Sequence, residues 1–343
     1  MDLIDLYRDM YKARAFEMAQ AELWHQGLIS GEMHLGTGEE AIAAGVGAHM
    51  KKGDGVALDH RSTPLLTVLG VDLVLMLREM LGREDGLCGG RGGHMHLFSK
   101  EHIAASSGIV GSGAPIGAGF ALAARQLRPG SVGLGFGGDG AANMGMLMEA
   151  QNLAVAWNLP MIFVCKDNGW AITTRSSSVT GGELVKRAQA FGLAAWDVDG
   201  TDAMAVWNAA GEAFERSRKG KGPGFLRFTC PRLDGHFIGD PMIRTAKSPL
   251  GEGGETLGKI MSAALTRGGA GIGARVRSMS HMMRTMRKAT KDRRESKGDP
   301  IVRCRRDLKK RAEEVEKIEE EIERRVGEAV EKALADIIKE EEQ

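Results

Sequence analysis

Two polar residues in the middle of the chain each follow a short apolar run. Asp139 comes after residues 132–136 and two glycines, and Asn168 comes soon after residues 161–165. Both runs have the length of a buried strand, and the helical pattern between them ends before Pro160. A strand–helix–strand unit closes with its strands parallel, so both polar residues belong to one edge of a sheet. This edge is where α/β folds bind ligands.

The glycines around Asp139 have two interpretations. Gly135, Gly137 and Gly140 match the dinucleotide fingerprint G-x-G-x-x-G, which favours a nicotinamide-dependent oxidoreductase. However, Asp139 lies inside this pattern, and its carboxylate would repel a diphosphate. Mg²⁺ removes the conflict, because it takes oxygen ligands and commonly keeps phosphate oxygens among them. A magnesium-bridged diphosphate is therefore the better interpretation, and the nicotinamide enzyme is its alternative.

The stretch from Gly138 to Asn168 resembles the thiamine diphosphate motif, which begins with Gly-Asp-Gly and ends in a turn that carries Asn. Its flanking residues are similar to the α subunit of the E1 component of 2-oxo acid and acetoin dehydrogenase complexes. The resemblance covers roughly residues 1 to 241 and resumes near Asp299. Further segments similar to this family occur in order: HLGTGEEA from His34, His60-Arg61, GRGGHMHL from Gly90, GIVGSGAPIGAG from Gly108 and GHFIGDP from Gly235.

The resemblance implies a set of functional residues around the glycine turns. It implies that Asp139, Asn168 and the carbonyl of Trp170 hold Mg²⁺, and that His34, His60 and His236 are catalytic. It also implies thiamine diphosphate as the cofactor. The implied cofactor-binding residues are His60, Arg61, Gly108, Val110, Asp139, Gly140, Ala141, Asn168, Trp170 and His236.

The implied fold is the α/β thiamine diphosphate-binding fold, a mainly parallel sheet flanked by helices with a C-terminal helical extension. The resemblance divides the chain into a cofactor-binding domain (residues 1–241), a divergent insert (242–298) and a C-terminal helical segment (299–343). Apolar spacing predicts helices over residues 2–27, 40–50 and 65–81, and a long amphipathic helix near the end of the chain. A strand is predicted over residues 56–58.

The family also implies a reaction and partners. The reaction is the decarboxylation of a 2-oxo acid such as pyruvate, or the cleavage of acetoin, with acyl transfer to a lipoyl carrier. The partners are an E1 β subunit, in a heterotetramer of two α and two β chains, and a lipoyl-bearing E2 acyltransferase. In this family the β subunit supplies the Glu that activates the cofactor. Glu39 and Glu40 are the tempting substitutes here, but they open a helix, where acidic residues are common.

Some segments depart from the family pattern. Thr63 stands where the family commonly has a second His, and residues 242–298 replace a short link. His94 and His96 form an H-x-H pair, which suggests either a metal site or the wall of the active site; the family context favours the wall. These departures leave open a non-catalytic regulatory relative as a further alternative.

Composition excludes several classes of protein. The 343 residues carry a net charge of +1, which predicts neither a nucleic-acid binder nor a membrane-surface protein. The 4 cysteines lack metal-ligand spacing, which is typical of reduced thiols in the cytoplasm. The N-terminal residues do not have the apolar run of a signal peptide, and no window has the apolar length of a membrane span. We therefore expect a cytoplasmic protein.

Overall fold

The computed structural model describes residues 1–239 and 298–341, together with residues 271, 273, 274, 277, 280 and 284. Side chains are described as far as residue 335. The predicted insert 242–298 therefore lies almost entirely outside the described residues, as do the last two residues of the GHFIGDP segment.

A seven-stranded sheet forms the centre of the described part, in the strand order β2-β3-β1-β4-β5-β9-β8. Every neighbouring pair is parallel except β2 and β3, so the predicted mainly parallel sheet is confirmed. The strands are β1 (Gly55–Leu58), β2 (Phe98–Ser99), β3 (Ala104–Ser106), β4 (Gly133–Gly138), β5 (Met161–Asp167), β8 (Ala194–Asp199) and β9 (Gly224–Thr229), and a separate ribbon pairs β6 (Trp170–Ala171) with β7 (Thr174–Arg175).

Helices cover the sheet on both faces, and one predicted helix is divided in two. The prediction of a continuous helix over 65–81 is wrong, because Gly70 has a φ of 88° and ends the first part in the left-handed conformation. Asp72 then caps the second part by accepting a hydrogen bond from the Leu75 amide at 3.0 Å. The helices that surround the sheet are α1 (Leu3–His25), α2 (Glu40–Gly47), α3 (Thr63–Leu69), α4 (Leu73–Met80), α5 (Gly113–Leu127), α6 (Gly145–Ala156), α7 (Leu184–Ala190) and α8 (Ala203–Arg218).

Small residues let α5 lie directly on β4. A Cβ atom at Gly117 would stand 2.5 Å from the carbonyl oxygen of Leu134, and one at Gly113 would stand 2.2 Å from that of Phe136. Both oxygens belong to β4, so glycine is required for this approach. The contact fixes the start of α5, and with it the loop from Gly108, beside the carboxyl end of β4.

The C-terminal segment packs on the first helix of the chain. It contains α9 (Pro300–Asp307) and α10 (Ala312–Glu341), whose apolar residues share a core with Leu6, Tyr7 and Met10 of α1. The carboxylate of Asp299 accepts two hydrogen bonds from the guanidinium of Arg14, each 3.1 Å long. The predicted C-terminal helical extension is confirmed. No helix among the described residues has the length and apolar character to cross a membrane.

The close contact between α5 and β4 predicts opposite effects for two glycines of the same helix. Gly117→Ala should lower the free energy of unfolding by about 1–3 kcal/mol, because its methyl group meets backbone atoms. Gly119→Ala should raise it by about 0.5–1 kcal/mol, because nothing lies within 4 Å and alanine favours the helix. Urea unfolding of the two variants and the wild type measures both effects. Equal stability of the two variants would contradict the packing.

Candidate functional site

The carboxyl ends of β4 and β5 bring the two predicted oxygen ligands together. Asp139 begins a short 3₁₀ turn after β4, and its Oδ1 accepts a hydrogen bond from the Asn168 amide at 3.3 Å. The Oδ1 of Asn168 in turn accepts from the amide of Trp170 at 3.1 Å. The predicted neighbourhood of these residues is therefore present, because the Asp139 carboxylate contacts the backbone of Asn168 directly.

The ribbon of β6 and β7 closes this corner from the outside. Ser176, in the turn that follows the ribbon, donates a hydrogen bond from its hydroxyl to Oδ2 of Asp139. The guanidinium of Arg175 stacks over the ring of Trp170 at 4.4 Å from its centroid, which holds the ribbon against the site. Sequence analysis did not identify Ser176, because a serine in a polar loop carries no signal without the fold.

The charge at Asp139 suits a cation. Its side chain is buried, and burial raises the pKa of this carboxyl, with a further rise from the neighbouring Asp167; the Ser176 hydroxyl opposes the shift. A divalent cation would reverse the shift, because it stabilises the ionised form. The donors here are a carboxylate, an amide oxygen and backbone carbonyls, which are the ligands that Mg²⁺ prefers. The residues therefore fit a magnesium ion.

A cluster of histidines lies at the same edge of the sheet. One ligating nitrogen from each of His34, His60 and His236 lies within 4.8 Å of the others. The ring of His34 lies nearly perpendicular to those of His60 and His236, each at 4.7 Å between centroids, and nearly parallel to that of His94 at 5.3 Å. These residues come from four separate loops, two of which follow β1 and β9. The fold brings together the three predicted catalytic histidines and adds His94.

Burial keeps several of these imidazoles neutral. It lowers the pKa of His34 to about 2, with help from His60 and Arg61. It also lowers the pKa of His60 to about 4, although Asp59 opposes the shift, and that of His94 to about 4. Within the described residues, Nε2 of His60 is buried without a hydrogen-bond partner. Each neutral ring has one N–H donor and one bare nitrogen, so these rings can donate and accept hydrogen bonds near neutral pH without carrying charge.

Arg61 ties two of these loops together. Its guanidinium donates to the backbone carbonyl of Leu35 and, at 2.6 Å, to that of His236. A longer contact of 3.4 Å reaches the carbonyl of Gly235. Arg61 thus holds the loop of His34 against the loop of His236, a structural role that the sequence did not indicate. Its expected contact with a diphosphate stays a prediction.

A buried ion triad, formed by Lys166, Glu39 and Asp59, stabilises the loop that carries His60 and Arg61. The ammonium of Lys166 lies 2.6 Å from the carboxylate of Glu39 and 2.9 Å from that of Asp59, and it donates to the carbonyl of Arg61 at 3.3 Å. Burial opposes the charged form of Lys166, but the two carboxylates raise its pKa. Burial likewise opposes ionisation of Asp59, yet Lys166 holds that pKa at about 2. The sequence carried a signal for this triad: a lysine that directly extends a buried apolar strand requires a charged partner.

Thr63, which departs from the family pattern, belongs to the scaffold of the His34 loop. Its hydroxyl donates a hydrogen bond to the carboxyl of Glu17, which also accepts one from the Gly36 amide at 2.6 Å. Burial raises the pKa of Glu17 to about 7, and these hydrogen bonds limit the rise. Glu17 therefore joins α1 to the loop that carries His34, and Thr63 at the start of α3 holds the Glu17 carboxyl in place.

The remaining predicted cofactor-binding residues occupy two turns. Gly140 and Ala141 lie in the 3₁₀ turn that Asp139 begins, where a Cβ atom on Gly140 would meet the side chain of Ala171 at 3.0 Å. Gly108 lies beside Met95 and His96, and Val110 is half exposed in the loop before α5. The structure places both turns near the ends of β1 and β4.

A parallel sheet that gathers oxygen ligands and neutral imidazoles at the carboxyl ends of its strands is the architecture of an α/β enzyme domain. The family model for the dehydrogenase E1 component matches residues 7–249 of this chain. The chain belongs to this family, so the resemblance inferred from its motifs is confirmed, and with it membership of a thiamine diphosphate-dependent class of oxidoreductases.

Similar proteins include α subunits named for two different substrates. The acetoin:2,6-dichlorophenolindophenol oxidoreductase α subunit of Cupriavidus necator is 40% identical over 271 residues, which are 78% of this chain and 81% of that protein. The pyruvate dehydrogenase E1 α subunit of Zymomonas mobilis is 39% identical over 245 residues, which are 70% of this chain and 69% of that protein. The name "α subunit" implies a β subunit as partner.

Among solved structures, the chain is similar to transketolases. The Pichia stipitis enzyme aligns with a TM-score of 0.50 and 20% identity over 67% of this chain and 36% of that chain. The Campylobacter jejuni enzyme aligns with a TM-score of 0.50 and 18% identity, covering 67% and 38%. The chain thus spans little more than a third of each transketolase, and the likeness shows the fold.

The carboxyl of Glu17 predicts a specific dependence of stability on pH. Since its pKa is about 7 in the folded chain and lower when unfolded, its protonated form stabilises the fold below pH 5, and this contribution is lost as the pH rises through 7. Glu17→Gln cannot lose a proton. Between about pH 5 and about pH 8 the variant should gain about 2 kcal/mol of unfolding free energy relative to the wild type.

Urea unfolding across this pH range measures the effect. Glu22→Gln, on the exposed side of the same helix, is the matched control. If the difference between the Glu17 variant and the wild type is constant over the range, the assigned ionisation is wrong.

Proposed function

We propose that this chain is the α subunit of a thiamine diphosphate- and Mg²⁺-dependent E1 component that acts on pyruvate or acetoin. One observation carries the proposal: the pair of Asp139 and Asn168 lies at the same edge of the sheet as the cluster of His34, His60 and His236. Oxygen ligands for a metal-bridged diphosphate and neutral proton carriers are thereby available in one place.

Asp139, Asn168 and the Trp170 carbonyl would hold Mg²⁺ and, through it, the diphosphate. The turn of Gly140 and Ala141 would lie against the phosphates, while Gly108 and Val110 would approach the aminopyrimidine ring. When bound, thiamine diphosphate supplies a nucleophilic carbon and an electron sink for a carbonyl substrate. The protein's task is to orient this group and to control protons around it.

The histidines are suited to proton control. His34 and His60 have lowered pKa values, so they are neutral at physiological pH, and each has one bare ring nitrogen that can accept a hydrogen bond from a hydroxyl group. The unpartnered Nε2 of His60 is one such acceptor. Phe237 lies 6.0 Å from the His34 ring and adds an apolar wall, which excludes water around a small substrate.

A β subunit would complete the site. Glu39 and Glu40 both form buried ion pairs, with Lys166 and Arg14, so neither is available to activate a cofactor ring. Ile109 and Val110 are 64% and 53% exposed beside the site, and an apolar surface of this kind favours cover by a partner chain. We propose a heterotetramer of two α and two β chains that passes its acyl product to a lipoyl-bearing E2 acyltransferase.

Experiments distinguish this proposal from two alternatives. A nicotinamide enzyme would bind NADH without Mg²⁺, and membership of the E1 family opposes it. A non-catalytic relative would assemble with a β subunit yet turn over neither substrate. Assays with pyruvate and with acetoin, using an artificial electron acceptor, distinguish these outcomes and also decide the substrate.

Removal of the Asp139 carboxylate should abolish magnesium-dependent binding of thiamine diphosphate while the fold is kept. We expect Asp139→Ala, assembled with its β subunit, to weaken binding by about a hundredfold or more, because a charged metal ligand is lost. Calorimetric titration with and without Mg²⁺ measures it. Asp197→Ala, which removes an exposed carboxylate from β8, is the control and should bind as the wild type does. Unchanged affinity in the Asp139 variant would refute the site.

The purified chain alone should bind thiamine diphosphate weakly and turn over no substrate, because the activating carboxylate lies on the partner. Addition of the cognate β subunit should restore both properties. Turnover assays across a titration of β subunit into a fixed amount of this chain give the measurement. Full decarboxylation or acetoin cleavage without the β subunit would overturn the proposed division of the site.

A further inference from the structure

We propose that His94 is a positioning residue that fixes the tautomer of His34, so that Nε2 of His34 is a hydrogen-bond acceptor within the cluster. The supporting observation is that one atom, Nε2 of His94, contacts two nitrogen atoms of His34. Nε2 of His94 lies 3.3 Å from the backbone nitrogen of His34 and 3.0 Å from its ring nitrogen Nδ1.

The tautomers follow from the chemistry of this double contact. A backbone amide is always a donor, so Nε2 of His94 must accept and carries no hydrogen. Neutral His94 therefore has its proton on Nδ1. Because Nε2 of His94 is an acceptor, Nδ1 of His34 contacts it as the donor and carries the proton of that ring. Nε2 of His34 is then left with a free lone pair.

The packing around His34 keeps its ring in this orientation. His60 and His236 lie nearly perpendicular to it at 4.7 Å between centroids. His94 lies nearly parallel to it, with 21° between the planes and 5.3 Å between centroids, as an edge-to-edge hydrogen bond requires. Rotation of the ring by half a turn would replace Nδ1 by a carbon atom and break the bond to His94. His94 and the surrounding rings therefore select one orientation and one tautomer together.

The consequence for catalysis depends on the proposed function. Reactions of acetoin or a 2-oxo acid interconvert a carbonyl and a hydroxyl group, and the proton on that oxygen needs an acceptor. With the tautomer set by His94, Nε2 of His34 accepts a hydrogen bond from this hydroxyl group; with the other tautomer, the same atom would present an N–H group and could not. The wrong tautomer of a general base lowers turnover even where geometry is intact.

A pair of substitutions at His94 tests this role in the assembled complex of this chain with its β subunit. His94→Gln offers an amide oxygen near the position of Nε2 and keeps an acceptor, while His94→Met has a similar volume and no strong acceptor. We expect kcat to fall about tenfold or more in the Met variant. The KM for substrate should change less than about threefold, and the Gln variant should keep kcat within about threefold of the wild type.

Nitrogen NMR of histidine-labelled protein gives a readout that does not depend on activity. The wild type should show His34 protonated at Nδ1 and bare at Nε2, with the signal assigned by comparison with His34→Gln. In the His94→Met variant the other tautomer should become populated. A wild-type His34 protonated at Nε2, or equal kcat in the Met and Gln variants, would overturn the inference. An inactive wild-type complex would instead refute the proposed function, while the NMR result would still decide the tautomer.

Discussion

A single buried cation, Lys166, connects the parts that make the site. It extends from β5 and holds Glu39 at the start of α2, Asp59 after β1 and the carbonyl of Arg61. Its removal would leave two buried carboxylates without a counter-charge, a change that costs about 3–5 kcal/mol in comparable pairs. The triad therefore fixes the loop that carries His60 and Arg61 relative to the sheet, and the positions of the other histidine loops depend on that loop.

Arg61 connects this loop to the two loops that carry His34 and His236. Its hydrogen bonds to the Leu35 and His236 carbonyls join two chain segments that lie far apart in sequence. The hydrogen bonds that Thr63 and the Gly36 amide donate to Glu17 anchor the same loop to α1. Charges and hydrogen bonds of the surrounding protein thus hold the histidine cluster in place. The imidazoles of His34 and His60 are neutral, because burial makes their charged forms unfavourable.

The corner formed by Asp139 and Asn168, where we propose that Mg²⁺ binds, is held in place differently from the histidine cluster. Asp139 and Asn168 lie side by side because β4 and β5 are parallel neighbours in register from Gly133 and Met161 onward. Here the carboxyl of Asp139 is buried with hydrogen-bond donors, and burial raises its pKa; a bound cation would lower that pKa and stabilise the fold. The two halves of the proposed site therefore differ in their electrostatics: one holds a buried carboxyl that a cation would stabilise in its charged form, and the other holds neutral imidazoles.

Sequence alone determined the family, the mainly parallel sheet and the pairing of Asp139 with Asn168, since these follow from periodic apolar runs and ordered motifs. It also indicated His34, His60 and His236 as one group through resemblance. Only the tertiary structure decided what those histidines contact, that Arg61 clamps two loops and that Thr63 supports Glu17. Such contacts join residues tens to hundreds of positions apart, and their strength depends on burial, which no local pattern encodes. The end of the helix at Gly70 was missed for a related reason. The apolar spacing of residues 65–81 continues across the turn that Gly70 forms in the left-handed conformation.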